Sequence, residues 1–244
     1  MEKPALRESM RSLIFPNSGA KPVTSHSPSH SQNCLIVFTR YPEAGKTKTR
    51  LIPYLGAEKA ADLQRQMTEH IVGITRPLRV KGRLSLEIHF AGGSVEQMHN
   101  WLGTELTYQR QPHGDLGQRL QQTFEQRFQA GLQRVVVIGA DCPEISAHHL
   151  EQAFHQLQTH DVVLGPAQDG GYYLVGLSRI CAPVFQGIPW GTEHVFAHTQ
   201  AIATRLGLSL ATLATLRDVD RPEDIPIFER ATARTANTAV ASHY

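Results

Sequence analysis

Four basic residues lie close together near the start of the folded part of the chain: Arg40, Lys46, Lys48 and Arg50 fall within eleven positions. Their side chains could bind the oxygens of a diphosphate, and an arginine can do so through two N–H groups at once. A solvated surface loop is the alternative, since runs of charge are often only exposed faces. The loop follows a predicted strand that would end at a ligand cleft, which favours anion binding.

The same loop contains Gly45, Lys46 and Thr47, an order that also ends the phosphate-binding P-loop. That motif needs a second glycine five positions before Gly45, and Arg40 stands there. Without this glycine the backbone N–H groups do not surround a phosphate in the same way. The sequence therefore argues against a P-loop kinase or ATPase, and we expect Gly45 to belong to a different kind of diphosphate-binding loop.

Asp141 follows an apolar run over residues 135–138, and Pro143 would then stop the strand. A carboxylate at the end of a buried strand could hold Mg²⁺, which uses one or two carboxylates together with substrate phosphates. A turn or cap residue is the alternative, because Asp and Pro together are common in turns.

A second acidic loop contains Asp169, Gly170 and Gly171. Paired glycines allow a ligand to approach the backbone closely, although a simple Asp-Gly turn between two strands would also explain them. Asp115 and Gly117 open the most regular helix of the chain. Asp115 is best explained as the N-cap of that helix, and a ligand contact at the helix N-terminus is the alternative.

Further candidates lie later in the chain. Trp190 could supply an aromatic platform for a sugar and Glu193 a carboxylate beside it, or both could belong to a packed loop before a helix. Asp218 and Asp220 form a DxD pattern that suggests metal binding, although Asp220 is better explained as a helix cap. His194 and His198 lack the order of a zinc protease motif and are expected to be ordinary histidines.

The elements that carry these residues alternate along the chain. Apolar runs predict strands at residues 34–39, 84–90, 134–139, 161–165 and 172–175. Helical periodicity predicts helices at residues 57–74, 116–132, 147–157, 193–206 and 222–230. This alternation indicates an α/β protein, a three-layer α/β/α Rossmann-like fold with a mostly parallel central sheet. Ligands of such sheets bind at the carboxyl ends of the strands, so we expect the motifs above to meet there.

The chain has 244 residues, which is enough for one large domain. Residues 1–32 contain little to bury and are expected to form a disordered extension. We place the domain at residues 33–231 and a tail at residues 232–244.

Composition excludes several classes of protein. Lys and Arg number 24 against 22 Asp and Glu, a balance that argues against bulk binding of nucleic acid. No apolar run approaches the ~20 residues of a membrane span, and no secretory signal is expected in the first residues. Three widely spaced cysteines fit a reduced, cytoplasmic protein. The oligomeric state stays open.

Six segments occur in an order that resembles a known family: FTRYPEAGKTKTRL, GDLGQRL, GADCPEI, DGGYYLVGL, PWGTEHV and DVDRPED. The chain resembles the bacterial arsenosugar-biosynthesis-type glycosyltransferases, a branch of the nucleotide-diphospho-sugar transferases with the GT-A fold. It is more distantly similar to molybdenum cofactor guanylyltransferase and phospholactate guanylyltransferase.

The resemblance implies an enzyme that transfers a sugar from a nucleoside diphosphate sugar to a small hydroxyl-bearing acceptor, with Mg²⁺ or Mn²⁺. It implies that Arg40, Lys48 and Arg50 contact the phosphates and that Asp141 holds the metal. It also places the loop of Asp169, Gly170 and Gly171 beside the sugar or the acceptor.

Chemistry adds one requirement, because an inverting transfer needs a carboxylate that deprotonates the acceptor. Asp169 and Glu193 are both candidates. Two departures from the relatives matter: Gly139 stands where a GT-A enzyme has the first acid of its DxD, and no run of small residues follows the first strand. The second departure disfavours use of a triphosphate, and nucleotidyl transfer or noncatalytic nucleotide binding are the alternatives.

Overall fold

The computed structural model describes residues 32–80 and 84–241. The predicted disordered extension therefore lies outside the described residues except for its last position.

Seven strands in the described part of the chain form a single sheet in the order β3-β2-β1-β4-β6-β5-β7. Strand β6 runs antiparallel to β4 and β5, and the other pairs are parallel. The strands are β1 Asn33–Arg40, β2 Ser85–Ala91, β3 Thr107–Arg110, β4 Arg134–Gly139, β5 Val162–Pro166, β6 Tyr172–Leu177 and β7 Leu210–Thr212. The mostly parallel α/β fold expected from the sequence is confirmed.

The helices are α1 Ile52–Leu55, α2 Ala57–Val80, α3 Val95–Leu102, α4 Leu116–Gln129, α5 Ala147–Gln156, α6 Val195–Arg205 and α7 Ile225–Ala241. They cover both faces of the sheet. Alternate residues of β1 serve different layers, because successive side chains of a strand point to opposite faces. Leu35 packs in the core with α2, α3 and α5, whereas Ile36 packs in the core with α4. Burial on both faces explains why β1 is a continuous apolar run.

Four elements escape the sequence patterns. Strands β3 and β7 are short and lie at the two edges of the sheet, and the residues of β3 are only partly buried. Their side chains give little apolar alternation to detect. Helix α1 has four residues and helix α3 has eight, and the sequence pattern predicts neither. Helix α7 continues to Ala241, into the predicted tail, and α6 begins at Val195 and not at residue 193. None of the helices in residues 32–80 and 84–241 combines the length and the apolar character of a membrane span.

Asp161 precedes β5 and forms hydrogen bonds with Ser209, the residue before β7. One of its oxygens accepts hydrogen bonds from the backbone N–H of Ser209 at 2.9 Å and from the Ser209 hydroxyl at 2.8 Å. The other pairs with Arg179, and this hydrogen bond, followed by those from Ser209, lowers the pKa of Asp161 to about 2.

Replacing Asp161 by Asn should lower the free energy of unfolding at pH 7 by roughly 1–3 kcal/mol, because charge-assisted hydrogen bonds are lost. A depressed carboxyl pKa stabilises the fold above the ordinary pKa, and this contribution is lost as pH falls toward about 2. The difference between wild type and Asp161→Asn should therefore shrink when denaturant unfolding is repeated at pH 3. An equal difference at both pH values would contradict this role.

Candidate functional site

A cleft of about 810 Å³ opens at the carboxyl ends of β1 and β4. Strand β6 runs the opposite way, so its first residue, Tyr172, lies at the same edge of the sheet. Seven of the residues selected from the sequence line this cleft: Arg40, Lys48, Arg50, Asp141, Asp169, Gly171 and Trp190. The loops that carry them are far apart in sequence and meet here because of the strand order. The convergence follows from the topology, as the rule for parallel sheets predicts.

Asp141 follows β4 and lies against the segment that precedes α7. The backbone N–H of Val219 donates to the Asp141 carbonyl at 2.9 Å. The Asp141 side chain is 49% exposed and faces the cleft, together with Asp218 and Asp220 from the same segment. The carboxylate of the GADCPEI motif and the DVD sequence therefore form one acidic wall.

The ammonium of Lys48 lies inside this wall. It donates to the carbonyl of Val219 at 2.7 Å and to Asp220 Oδ1 at 2.8 Å, and it lies 3.0 Å from Asp141 Oδ1. Burial alone would lower the pKa of Lys48, but the charges of Asp141 and Asp220 outweigh burial and raise it above its ordinary value. Lys48 therefore remains a cation that links three backbone segments.

Asp218 was noted in the sequence only as part of a DxD pattern and was not selected as a site residue. It lines the cleft, and burial, followed by the negative charges of Asp169 and Asp220, raises its pKa to about 6. The carboxylates of Asp169 and Asp220 thus lie near enough to Asp218 to disfavour its ionisation further, in addition to burial. The signal in the sequence was the DxD spacing itself, but only the fold brings Asp218 near Asp169.

The acidic wall has the donors of a site for a hard divalent cation. Asp141 and Asp218 supply carboxylate oxygens, and Mg²⁺ in nucleotide sites needs only one or two of these besides phosphate oxygens and water. Within residues 32–80 and 84–241, no three His, Cys, Asp or Glu side chains form a ready-made ligand set. The residues therefore fit a metal that arrives with a phosphate substrate, and not an all-protein metal cage.

A second contact fixes the segment that carries Asp218. Glu144 Oε2 accepts a hydrogen bond from the backbone N–H of Arg217 at 3.0 Å, and Glu144 Oε1 accepts from the Arg217 guanidinium at 2.8 Å. Glu144 belongs to the same loop as Asp141. The two carboxylates of the proposed metal site are thus held in place by contacts between their neighbours in the chain.

The remaining cations stand at the mouth of the cleft. The Arg50 side chain is 71% exposed and pairs with Asp220 at 3.2 Å, and the Lys46 side chain is 65% exposed and pairs with Glu43. Arg119 of α4 also lines the cleft and was missed, although it belongs to the GDLGQRL motif. Gly45 does not line the cleft and has a φ of 79°, so it serves as a turn within the loop.

Asp115 is the N-cap of α4. It accepts a hydrogen bond from the Gln118 backbone N–H at 2.8 Å, and its own N–H donates to the Gln118 side chain at 3.0 Å. This capping box confirms the explanation favoured by the sequence, and Asp115 is not among the residues that line the cleft.

The glycine loop and Glu193 pack together through their backbones. Gly170 has a φ of 88°, and a Cβ placed there would lie 2.1 Å from the Glu193 carbonyl oxygen. The Glu193 side chain is 78% exposed and does not line the cleft, whereas Asp169 does. Asp169 Oδ1 accepts from the Gly171 N–H at 2.8 Å. Of the two carboxylates expected to act as a base, only Asp169 faces the cleft.

Gly117 has no direct place in the cleft, but it lets Trp190 lie against α4. A Cβ on Gly117 would lie 2.4 Å from Trp190 Nε1 and 2.9 Å from the carbonyl oxygen of Phe185. Trp190 also contacts Tyr172 edge to face, with the ring centroids 6.1 Å apart. The glycine therefore positions the aromatic wall of the cleft.

Replacing Gly117 by Ala should displace the Trp190 indole, because the added Cβ would clash with the indole ring and with the backbone carbonyl oxygen of Phe185. We expect overpacking to cost about 1–3 kcal/mol of stability and to change tryptophan fluorescence. Gly73→Ala is the matched control, since Gly73 lies in α2 with open space around its Cβ. A fluorescence spectrum and melting temperature for Gly117→Ala equal to those of the control would refute this packing role.

Comparisons with known proteins find similar sequences and folds. Residues 75–192 match the model of a family described as "Uncharacterized protein conserved in bacteria (DUF2064)". A crystal structure from Desulfovibrio desulfuricans G20, assigned provisionally as a nucleotide-diphospho-sugar transferase, is 35% identical in sequence. That match covers 78% of this chain and 83% of the other, with a TM-score of 0.74. A search of curated proteins gave no match.

More distant structures share the fold alone. CMP:2-keto-3-deoxy-manno-octonic acid synthetase in complex with CTP is 14% identical, with 84% of this chain and 100% of the other covered and a TM-score of 0.54. The inositol-1-phosphate CTP transferase from T. maritima is 13% identical, with 83% and 96% covered and a TM-score of 0.53.

Proposed function

We propose that this chain, which belongs to the bacterial family DUF2064, is a transferase that moves a sugar from a nucleoside diphosphate sugar to a small hydroxyl-bearing acceptor. The observation that carries the proposal is the meeting of an acidic wall and exposed cations in one cleft. Asp141, Asp169 and Asp218 line this cleft, and so do Arg40 and Arg50. The relative from Desulfovibrio desulfuricans, provisionally a nucleotide-diphospho-sugar transferase, supports this class of donor.

Mg²⁺ or Mn²⁺ would bind at Asp141 and Asp218. The cation would supply Lewis-acid stabilisation of the departing diphosphate. The lining of the cleft supports this assignment, since Asp141 and Asp218 both present carboxylate groups to it.

Arg40, Lys46 and Arg50 would bind the diphosphate oxygens. Their exposure and their position at the end of β1 support this role, since a phosphate group can reach them without displacing the core. Negative charge develops on the diphosphate as the bond to the sugar breaks, and preorganised cations stabilise that charge.

Asp169 would accept the proton of the acceptor hydroxyl. Its fixed Asx-type turn holds the carboxylate beside the cleft, and the neighbouring Gly171 leaves room for a ligand against the backbone. Trp190 would form the apolar wall for the sugar. The six motifs resemble the arsenosugar-biosynthesis-type enzymes, and an acceptor of that kind stays a prediction.

The experiment incubates the protein and Mg²⁺ with nucleoside diphosphate sugars or with nucleoside triphosphates and sugar phosphates, and follows the products by phosphorus NMR. In the sugar reactions, water can replace an acceptor: the bond between the anomeric carbon and the diphosphate oxygen breaks, and a bond to water oxygen forms. Release of a nucleoside diphosphate supports the proposal. Release of pyrophosphate from a triphosphate would instead establish nucleotidyl transfer, and nucleotide binding without any turnover would leave a noncatalytic binding protein.

A further inference from the structure

We propose that Lys48 is a positioning residue and not a phosphate ligand: its buried ammonium holds Asp141 and the segment 218–220 together as one acidic wall. This inference rests on the proposed function for the identity of the ligand. It departs from the sequence, in which Lys48 looks like one more cation of the diphosphate loop.

The Lys48 ammonium uses all its N–H groups in contacts with protein acceptors. An ammonium carries three N–H groups, and Lys48 has three acceptors at 2.7, 2.8 and 3.0 Å: the Val219 carbonyl, Asp220 and Asp141. Its side chain is only 6% exposed. A phosphate could bind this ammonium only after one of these contacts had broken.

Lys48 is much less exposed than the neighbouring cations of its loop. Lys46, two positions earlier, and Arg50, two positions later, both have largely exposed side chains. Within the described part of the chain, each has a single acidic partner, Glu43 for Lys46 and Asp220 for Arg50. These two cations have the free N–H groups that phosphate binding needs, and Lys48 does not.

The backbone of Lys48 has a left-handed conformation. It has φ 45° and ψ 46°, and it is the one non-glycine residue with positive φ in residues 32–80 and 84–241. A left-handed conformation is unfavourable for an L-residue, and such conformations persist only where surrounding contacts hold them. Here the three contacts of the ammonium provide that restraint, and the loop turns its side chain inward.

The arrangement has an electrostatic consequence. Without Lys48, the carboxylates of Asp141 and Asp220 would lose the buried cation that they share. Their mutual repulsion would then push the two chain segments apart. Lys48 thus keeps the two chain segments close enough to serve a single metal.

The test compares Lys48→Met with Lys46→Met, the same substitution two positions away. We measure melting temperature, and also the affinity for nucleoside diphosphates by calorimetry in EDTA and in Mg²⁺. Lys48→Met should lower the melting temperature by roughly 5–15 °C. It should leave the affinity in EDTA within about twofold of wild type but remove most of the gain from Mg²⁺. Lys46→Met should do the opposite: weaken binding in EDTA and barely change stability.

A double variant keeps the test decisive if Lys48→Met folds poorly. Lys48→Met with Asp220→Asn removes one unpaired carboxylate, so its loss of melting temperature should be smaller than the sum of the two single losses. Additive losses, or an affinity in EDTA reduced tenfold or more by Lys48→Met, would overturn the inference. If wild type binds no nucleoside diphosphate, the proposed donor is wrong, and the melting temperatures still decide whether Lys48 positions the wall.

Discussion

Replacing Asp141 by Asn is expected to abolish the Mg²⁺-dependent part of nucleoside diphosphate binding and to lower the transfer rate by about 10²–10³-fold. The amide keeps the shape of the side chain, and its oxygen can still accept from Lys48, which lies 3.0 Å from Asp141 Oδ1. The loss should therefore report the missing negative charge and not a rearranged loop. Calorimetry with Mg²⁺ and with EDTA, together with a rate assay, measures both effects.

Asp62→Asn is the control for this variant. Asp62 is an exposed carboxylate of α2 that pairs with Arg65 and does not line the cleft. The Asp62→Asn variant should bind the nucleotide as the wild-type protein does, both in Mg²⁺ and in EDTA. An Asp141→Asn protein that keeps the full gain in affinity from Mg²⁺ would remove Asp141 from the metal site.

Replacing Glu144 by Ala should lower activity by about 10–100-fold, the usual effect of losing a residue that orients a metal ligand. Glu144 touches the backbone N–H and the guanidinium of Arg217, directly before Asp218. Its loss removes one of the contacts that fix the segment carrying Asp218, while the contacts of Lys48 with Asp141 and Asp220 remain. The affinity for Mg²⁺ should therefore fall, and a larger concentration of the metal should restore part of the rate.

Two further variants separate positioning by Glu144 from a general loss of stability. Glu144→Gln retains an oxygen that can accept from the Arg217 N–H, so it should recover part of the activity lost in Glu144→Ala. Glu58→Ala removes an exposed glutamate from the first turn of α2 and should leave the metal dependence unchanged. A rate for Glu144→Ala that falls without any change in metal affinity would show that Glu144 does not position Asp218.

The central part of the fold could be predicted because its signals are local. Strands β1 and β4 are continuous apolar runs, and α4 repeats an apolar residue every four positions, beginning with an Asp cap. Strand β3 could not be predicted, since an edge strand buries too little to impose a pattern. Prediction fails there for a physical reason. Hydrophobic periodicity reflects burial, and the edge strands of the sheet are little buried.

The candidate site could likewise be predicted only in part. The order of strands and helices is enough to bring the loops of Arg40, Asp141 and Asp169 to one edge of the sheet. It does not determine which side chains turn inward. The contact of Lys48 with Asp220 joins residues 172 positions apart, and the exposure of Glu193 depends on how its backbone packs on Gly170. Such long-range packing leaves no trace in local spacing.

The most direct test of the central claim is the melting temperature of the wild-type protein with UDP-, GDP-, ADP- and dTDP-sugars and with the matching triphosphates, each in Mg²⁺ and in EDTA. At a hundredfold excess over Kd, a bound donor should raise the melting temperature by about 5–10 °C. We predict that at least one nucleoside diphosphate sugar raises the melting temperature by this amount in Mg²⁺ and by clearly less in EDTA. Stabilisation by triphosphates alone, or an equal rise without metal, would contradict it.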